Sequence, residues 1–442
     1  MTLEQEREIG EKVLEEVKRR WPIVDEPSVN SYVTHLGKRI LQTLDSQPFD
    51  YQFFVLNTPD LNAFAVPGGK VFLNSGIILA MENEDELAAV ISHEIGHVVA
   101  RHIAKQSEKG KTLSLATLGT ILAGLVLGGK TGAAMATTGM AAAETAMLKY
   151  SRDDELEADY LGLKFMERAG FDRRGMLTML RKMRRTIGPA SSDPPAYLLT
   201  HPAIEDRVSD LEVQLARYPE VAEPRKSPGN FRRVQTRLMV AEKDATRADA
   251  FFKNWVNRNP DDAEPWFGLG LTQRRMGAMD RAIESLWQAA SRSPRDGEIH
   301  RELGTTYFLK GYLDEAEKHL EEARQLSPLD PLTDFYLGRV YLEKKKFDPA
   351  LQALLRAKER GLLLPDLHYH LAHAYAAKNM LGPAYMSLGY HFKALGDGRN
   401  ALANFQKALS HFPETAPERK ILLKEIEDLS PQKSKPPLKR PR

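Results

Sequence analysis

The chain has 442 residues, of which 62 are basic and 60 are acidic, so its formal net charge at pH 7 is only +2. This balance gives no global attraction to nucleic acid, while the length permits two or three domains with a sizeable core. Cysteine is absent from the sequence, which excludes disulfides, thiolate metal ligands and cysteine nucleophiles together.

The first segment of the chain, MTLEQEREIGEKVLEEVKRRW, predicts an amphipathic helix that carries both acidic and basic residues. It has no apolar stretch of the kind that a secretory signal contains. From this pattern by itself, the expected location of the protein is cytoplasmic.

Residues 62–76 predict two short strands around a Pro-Gly-Gly turn. If a catalytic site lies nearby, an edge strand there could pair with an extended peptide substrate. The candidate edge strand consists of Phe64, Ala65 and Val66. An ordinary structural hairpin explains the same pattern equally well.

An H-E-x-x-H string lies within the stretch DELAAVISHEIGHVVARHIA, where apolar residues recur with a helical period. Residues four apart share one face of a helix, so His93 and His97 could bind a single metal ion. Glu94 lies beside them, placed to take a proton from a metal-bound water. Gly96 is a poor helix former, which favours the close approach of another backbone or a ligand. The alternative is a helix with two surface histidines and a solvated carboxylate.

Two apolar runs follow, at residues 113–128 and 132–148. Each is shorter than, or at the low limit of, the roughly 20 residues that a membrane-spanning helix needs. We expect a small-residue helical hairpin near the active site that contacts a membrane surface or a partner. A transmembrane hairpin is the alternative.

A catalytic zinc ion uses three protein ligands, so a third ligand is needed. The segment YSRDDELEADY predicts a second helix on which Glu155 and Asp159 lie four residues apart. One carboxylate could bind the metal while the other accepts a hydrogen bond from a ligating imidazole. Spacing alone does not choose Glu155 over its neighbours, because acidic residues at helical spacing also form solvated faces.

The segment THPAIEDR follows at residues 200–207. Since threonine caps helices and proline starts them, the residues alone favour a helix-capping turn.

Three segments, HEIGHVVARH, ELEAD and THPAIEDR, resemble the gluzincin metallopeptidase family of the CAAX prenyl protease, HtpX and BepA. The resemblance runs from residue 4 to about residue 215, includes the hairpin segment, and weakens between residues 105 and 148. Members of this family use one zinc ion. The resemblance implies that the ion here is held by His93, His97 and Glu155.

The same resemblance implies roles for three more residues. The aspartate of ELEAD, Asp159, would support a histidine ligand. In BepA-type members the histidine of the T-H-P segment lies over the zinc and can occupy its open position, which implies a regulatory or transition-state role for His201. The arginine of that segment lines the site in those members, which implies that Arg207 is a site residue here. BepA-type members are periplasmic, which implies a periplasmic location with a signal segment removed.

A fixed period of 34 residues runs through the C-terminal half. Small residues and prolines recur at this period at Leu269-Gly270, Leu303-Gly304, Leu337-Gly338 and Leu371-Ala372, at Ala282, Ala316, Ala350 and Ala384, and at Pro260, Pro294 and Pro328. This is the tetratricopeptide pattern, in which pairs of antiparallel helices stack into a solenoid with a concave face for partners.

The phase of this pattern changes at both ends. Upstream, Gln235-Thr236 replaces Leu-Gly, which predicts a degenerate first repeat. Downstream, Leu388-Gly389 lies half a repeat out of register, so the helix near residues 384–395 is expected to belong to two repeats. The solenoid is then expected to extend to about Leu429.

The predicted fold is mainly α, with an α+β zincin-type metalloprotease domain that contains a small sheet, followed by an all-α solenoid. The predicted boundaries are 1–216 for the metalloprotease domain, 217–230 for a linker, 231–430 for the solenoid and 431–442 for a disordered basic tail.

The predicted function is zinc-dependent hydrolysis of peptide bonds in protein substrates, in envelope protein quality control. Glu94 would act as the general base, and His201 or Arg207 would stabilise the oxyanion, in an order that the sequence does not rank. The repeats would recruit unfolded or misassembled clients, or a protein partner, on their concave face, and residues 113–148 would make a peripheral membrane contact; no nucleic acid is expected. The alternative is a chaperone or assembly factor whose protease site is latent and gated by His201.

Overall fold

The computed structural model describes residues 1–109, 150–185, 196–217, 230–241 and 244–430, which form two compact units, Met1–Asp244 and Ala245–Arg442. The predicted hairpin at 113–148 and the basic tail at 431–442 lie outside the described residues, as does most of the predicted linker. No helix among the described residues is long and apolar enough to cross a membrane.

The first unit surrounds a three-stranded sheet with helices. Its helices are α1 (Leu3–Arg20), α2 (Pro27–Leu41), α3 (Ser75–Ala80), α4 (Glu84–Val99), α5 (His102–Lys109), α6 (Arg152–Ala169), α7 (Arg174–Arg185), α8 (Ala196–Thr200), α9 (Ile204–Leu215) and α10 (Phe231–Val240). Its strands are β1 (Gln52–Leu56), β2 (Ala63–Val66) and β3 (Lys70–Asn74).

The strand order of the sheet is β1-β3-β2, so the central strand is β3. β1 pairs with β3 in parallel, and β2 pairs with β3 in antiparallel register, with Phe64 opposite Phe72. The tight connection between β2 and β3 contains Gly68 and Gly69, both with positive φ, which only glycine adopts readily. The predicted hairpin is therefore present, and β2 lies at an edge of the sheet.

Helix α4 lies at the centre of the first unit, because it packs against β2, α6 and α7. It begins where the side chain of Asn83 accepts a hydrogen bond from the backbone N–H of Glu86, and its first turn is acidic, as the positive end of the helix dipole favours. Leu87, Val90 and Ile91 are fully buried in the main core. The burial of these apolar side chains, rather than the intrinsic helix propensity of the residues, stabilises the helix that carries the H-E-x-x-H string.

In the second unit, the regular elements of the described residues 245–430 are all helices. They are α11 (Ala245–Arg258), α12 (Ala263–Arg275), α13 (Met279–Arg292), α14 (Gly297–Lys310), α15 (Leu313–Leu326), α16 (Pro331–Glu343), α17 (Phe347–Glu359), α18 (Pro365–Ala377), α19 (Leu381–Ala394), α20 (Gly398–Ser410) and α21 (Pro417–Leu429). From α12 onward they pack as consecutive antiparallel pairs. The predicted fold class, an α+β domain followed by an all-α repeat array, is confirmed.

The recurring glycine of the repeats marks the place where the two helices of a pair approach most closely. A Cβ atom at Gly304 would lie 2.7 Å from Cγ of Leu320, and one at Gly338 would lie 2.5 Å from Cγ of Leu354. These distances are far below van der Waals contact, so the two helices of each pair can pack this closely only because glycine has no side chain.

The half-repeat slip near the C-terminal end is visible in the same contact. A Cβ at Gly389 would lie 2.3 Å from the ring of Phe405. Gly389 of α19 therefore packs against Phe405 of α20 in the same way as Gly338 packs against Leu354 in an earlier helix pair. Helix α19 is thus both the second helix of one pair and the first helix of the next, and α21 ends at Leu429.

The boundary between the units differs from the expected one. The repeat pattern places the solenoid start at residue 231, but α10 packs against α2 and α3 in the first unit. Its apolar residues Phe231, Val234 and Leu238 belong to the same core as α4. The weak Gln-Thr match at residues 235 and 236 lies on this helix, so it does not mark a repeat.

We predict that Gly304→Ala lowers the free energy of unfolding of the second unit by about 1–3 kcal/mol, because the added methyl group forces α14 away from Leu320. Urea denaturation followed by circular dichroism measures this change. Gly398→Ala is the matched control, since a Cβ there meets only Leu429 at 3.8 Å. Equal stability of the two variants would contradict the packing argument.

Candidate active site

The two histidines of α4 lie side by side in the interior of the first unit. His93 is fully buried and His97 is 2 % exposed, and their Nε2 atoms are 2.9 Å apart. His93 Nδ1 lies 2.8 Å from Oδ1 of Asp159, so the Nδ1–H donates to that carboxylate. Since the proton of a neutral imidazole is then on Nδ1, the Nε2 lone pair of His93 is free to bind a cation.

Helix α6 reaches the histidines because two glycines remove the side chains that would separate it from α4. A Cβ at Gly96 would lie 2.9 Å from the carbonyl oxygen of Ala158, and one at Gly162 would lie 3.3 Å from the backbone nitrogen of His93. The close approach of a second backbone, expected at Gly96 from the sequence, is that of Ala158.

This crossing brings Glu155 to the histidine pair. Its Oε2 lies 3.6 Å from His93 Nε2, and its Oε1 lies 3.5 Å from His97 Nε2. Of the neighbouring acidic residues, Asp153 is not buried, and Asp154 forms the capping box of α6 with Ser151. Burial and the distance to the histidines thus distinguish Glu155 from the neighbouring acidic residues. Their spacing in the sequence alone did not.

His201 lies between α8 and α9 and is fully buried against the same cluster. Its Nδ1 is 3.0 Å from Oε1 of Glu155 and 3.3 Å from His93 Nε2. Its Nε2 has no hydrogen-bond partner and lies 3.5 Å from Oε1 of Glu94. Thr200 does not cap α9; its hydroxyl donates to Tyr197 O within α8, so the capping-turn interpretation of this segment is wrong.

Arg207 of α9 is a fully buried arginine that faces two carboxylates. Its Nε and one terminal nitrogen each lie 2.7 Å from an oxygen of Asp159, and its other terminal nitrogen lies 2.6 Å from Oε2 of Glu155. Burial alone would raise the pKa of both carboxyl groups, but the attraction of Arg207 and the neighbouring histidines outweighs it and lowers both pKa values. Both groups are therefore ionised at neutral pH.

Glu94 is the third buried carboxylate of the cluster. Neither of its oxygens has a hydrogen-bond partner, although the residue is fully buried. Burial raises its pKa, and the nearby His201 and His93 offset only part of this effect. A buried carboxylate without partners is a strong proton acceptor, because the protein does little to stabilise its charge.

The donor set fits a divalent cation. The atoms offered by His93, His97, Glu155 and His201 all lie within 4.8 Å of one another. The cluster contains three buried carboxylates and one guanidinium, an excess of negative charge that a divalent ion neutralises. Imidazole nitrogens and a carboxylate are ligands that zinc prefers in catalytic sites.

Sequence reasoning missed His102, which lies at the start of α5 and is fully buried. Its Nε2 lies 3.0 Å from Oε2 of Glu157 and donates to it, so its Nδ1 accepts from His97 Nδ1–H at 2.8 Å. This chain leaves the Nε2 lone pair of His97 facing the metal position. The side chain of Glu157 is about half exposed, so its place among the acidic residues of α6 does not reveal this contact.

Two buried tyrosines, also missed, hold the imidazole rings in place. Tyr150 stacks on His97 with ring centroids 3.8 Å apart, and Tyr197 stacks on His201 at 4.4 Å. Burial raises the pKa of both phenols well above the usual value, so both remain neutral. The hydroxyl of Tyr197 has no hydrogen-bond partner.

The candidate edge strand lies beside this cluster, because β2 packs directly on α4. A small cavity is lined by Ala65 and Val66 of the strand, by His97, and by Tyr150. Phe64, by contrast, is buried in a second core with Phe72 and α1.

The buried H-E-x-x-H helix and the acidic donor from α6 have the arrangement of a metallopeptidase site. Residues 27–214 match peptidase family M48, and residues 267–331 and 302–362 match the tetratricopeptide repeat. The chain thus contains a peptidase M48 domain followed by tetratricopeptide repeats. The metal of this family is zinc, which agrees with the donor set.

Similar proteins include the putative beta-barrel assembly-enhancing protease of Vibrio cholerae, 33% identical over 50% of this chain and 46% of that protein. The beta-barrel assembly-enhancing protease of Escherichia coli K12 is 33% identical over 48% of this chain and 44% of its own length. The mitochondrial metalloendopeptidase OMA1 of Schizosaccharomyces pombe is 34% identical over 41% and 51% respectively. The chain spans about half the length of these relatives.

We predict that Arg207→Leu lowers the free energy of unfolding of the metal-free first unit by about 3–5 kcal/mol, since Asp159 and Glu155 lose their buried counter-charge. Thermal denaturation of chelated protein measures this loss. Arg207→Lys should restore only part of it, because an ammonium cannot bind Asp159 through two parallel hydrogen bonds.

Arg184→Gln is the control, because its ion pair with Glu205 is largely exposed and contributes at most about 1 kcal/mol. If Arg207→Leu were no less stable than this control, the ion pairs of Arg207 would not hold the site together.

Proposed function

We propose that this chain is a zinc-dependent endopeptidase that hydrolyses peptide bonds of protein substrates. The observation that carries the proposal is the buried convergence of His93, His97 and Glu155 around one position, with the unpartnered carboxylate of Glu94 beside it. A purely structural metal site would not require this fourth group, a buried carboxylate without a hydrogen-bond partner.

His93, His97 and Glu155 would hold the zinc ion. When bound, zinc supplies a Lewis acid that polarises a carbonyl and lowers the pKa of water. Glu94 accepts the proton of the attacking water and then donates it to the leaving amine. Its raised pKa suits both steps, because the carboxyl group takes up a proton readily and holds it until the amine leaves.

The geometry supports His201 rather than Arg207 as the group that stabilises the oxyanion. Arg207 is committed to Asp159 and Glu155 through its ion pairs. The Nε2 of His201 has no partner within the cluster. Glu155 and Glu94 raise the pKa of His201 against the opposing effect of burial, which favours the protonated donor form. Arg207 then acts by positioning the two carboxylates.

Substrate would bind as an extended segment along β2. The strand lies at the edge of the sheet, beside α4, and its Ala65 and Val66 line the same small cavity as His97. Pairing with a sheet edge recognises the backbone rather than particular side chains, as a protease with varied protein substrates requires.

The repeats would recruit unfolded or misassembled protein clients, or a protein partner, on their concave surface. Relatives named beta-barrel assembly-enhancing protease support a role in envelope protein quality control and a periplasmic location; a cytoplasmic location is the alternative. Residues 113–148 would add a peripheral membrane contact. We propose the solenoid itself to be residues 245–430.

The second candidate function is a chaperone or assembly factor whose protease site is latent. It is favoured by the position of His201, whose Nδ1 is close enough to His93 and Glu155 to share their metal ion. In that state the imidazole occupies the position that the attacking water needs.

Glu94→Gln should bind one equivalent of zinc at the cluster as tightly as wild type, yet lose cleavage of casein by about 100-fold or more, since the amide cannot accept the proton. Zinc content and fluorescent peptide release measure the two properties. Glu82→Gln is an exposed control on the preceding loop. Full cleavage by Glu94→Gln would refute the general-base role.

His201→Ala should lower kcat for casein by roughly 100-fold with little change in KM, because a donor that acts in the transition state is lost. His35→Ala, an exposed histidine of α2, should cleave like wild type. A gain of activity in His201→Ala would instead identify His201 as the gate of a latent enzyme.

A further inference from the structure

The tetratricopeptide array contains a second cluster of potential metal ligands. His300 of α14 and His319 of α15 are 5 % and 4 % exposed, and Glu322 lies one turn beyond His319 on the same helix. All three belong to one helix pair of the second unit. They contribute nothing to the peptidase site, whose ligands lie in the first unit.

Two of the three separations between the donor atoms match a tetrahedral coordination shell, and the third is about 0.5 Å longer. His300 Nδ1 lies 3.4 Å from His319 Nδ1 and 3.4 Å from Oε2 of Glu322, and His319 Nδ1 lies 3.9 Å from the same oxygen. Ligands that bind one zinc ion at about 2.0–2.2 Å in a tetrahedron are about 3.4 Å from each other.

The tautomer of His300 is already set for metal binding. Its Nε2 lies 3.0 Å from the carbonyl oxygen of Pro294, which only accepts, so Nε2 carries the proton. The lone pair is therefore on Nδ1, directed at His319 and Glu322. A ligating histidine whose other nitrogen donates to a backbone carbonyl is the usual arrangement at metal sites.

The ring of His319 is held in place by aromatic neighbours. Tyr307 stacks on it at 5.6 Å with an interplanar angle of 8°, and Trp287 meets it edge-on at 5.2 Å. Trp287 Nε1 donates to the Tyr307 hydroxyl at 2.8 Å, which links the two flanking rings. Glu322 is 43 % exposed, so an ion has a path from solvent to the cluster.

The repeat register shows that this histidine is not a packing requirement. The positions equivalent to His319 in the neighbouring repeats, 34 residues away, are Ser285 and Ala353. Small side chains suffice there for helix packing. The position equivalent to Glu322 is Gln288 in one neighbour and Arg356 in the other. The His-His-Glu set is thus confined to one repeat.

We propose that His300, His319 and Glu322 form a second metal site, which binds a divalent ion of the zinc class and leaves one position open to solvent. Imidazole nitrogens with one carboxylate favour zinc, copper or nickel over magnesium and calcium. By joining α14 to α15, the bound ion stabilises the repeat that contains it. The open position is also available to a donor side chain of a protein partner.

The test counts zinc ions bound to the full chain after removal of metals with a chelator. Wild type should bind two equivalents, and His300→Gln and Glu322→Gln should each retain one tight equivalent, with affinity for the other reduced by about tenfold or more. His373→Gln, an exposed histidine of the solenoid, should retain both. Cobalt substitution should give two sets of visible absorption bands in wild type and one in His300→Gln.

A second design separates this site from the peptidase site. His93→Gln should lose the zinc ion of the first unit and still bind zinc in the repeats. Zinc binding by this variant therefore tests the repeat site even if the proposed function of the first unit is wrong. Glu322→Gln changes a partly exposed residue and should fold as wild type by circular dichroism. Absence of zinc binding in His93→Gln, or zinc binding in the repeats that persists in both His300→Gln and Glu322→Gln, would overturn the proposal.

Discussion

The first unit depends on one buried arginine. Glu94, Glu155 and Asp159 all lie in the interior, where an ionised carboxylate without a counter-charge is destabilised by several kcal/mol. Arg207 reaches two of them from α9, binding Asp159 through two parallel hydrogen bonds and Glu155 through a third contact. Without this cation, the buried carboxylates would repel one another and destabilise the fold, or take up protons, and a protonated carboxyl group is a poor metal ligand.

The same arginine explains why the first unit extends past α4 and α6. The H-E-x-x-H helix and α6 carry the proposed ligands, but the charge that stabilises them comes from α9, which begins more than forty residues after Glu155. Close helix packing allows Arg207 to contact these carboxylates. Because Gly96 and Gly162 let the backbones of α4 and α6 touch, the carboxylates of α6 lie between the histidines and Arg207. The solenoid uses the same device, since each Leu-Gly pair permits a close helix crossing.

Local sequence patterns predicted those parts of the site that lie on one helix face. His93, His97 and the spacing of Glu155 from Asp159 follow from helical periodicity, and the resemblance to a known family chose Glu155. Periodicity gives no information on two residues that come into contact because the chain turns between them. His102 is such a residue. It follows Arg101, whose positive φ turns the chain so that His102 faces back to His97. Repeat periodicity likewise identified α12 onward, whereas α10 follows the first unit because its apolar face fits that core.

The polar groups of the site divide into two sets with different physical roles. Each proposed ligand has an outer partner that fixes it: His93 has Asp159, His97 has His102, and Glu155 has Arg207. Glu94 and the Nε2 of His201 have none, and a buried polar atom left without a partner is destabilised by about 1–3 kcal/mol. Groups that hold a metal need fixed orientation, while groups that exchange a proton or bind a developing charge need unused bonding capacity. The structure leaves that capacity at the two residues proposed to act on the substrate, where hydrolysis requires it, and also at the hydroxyl of Tyr197, which stacks on His201.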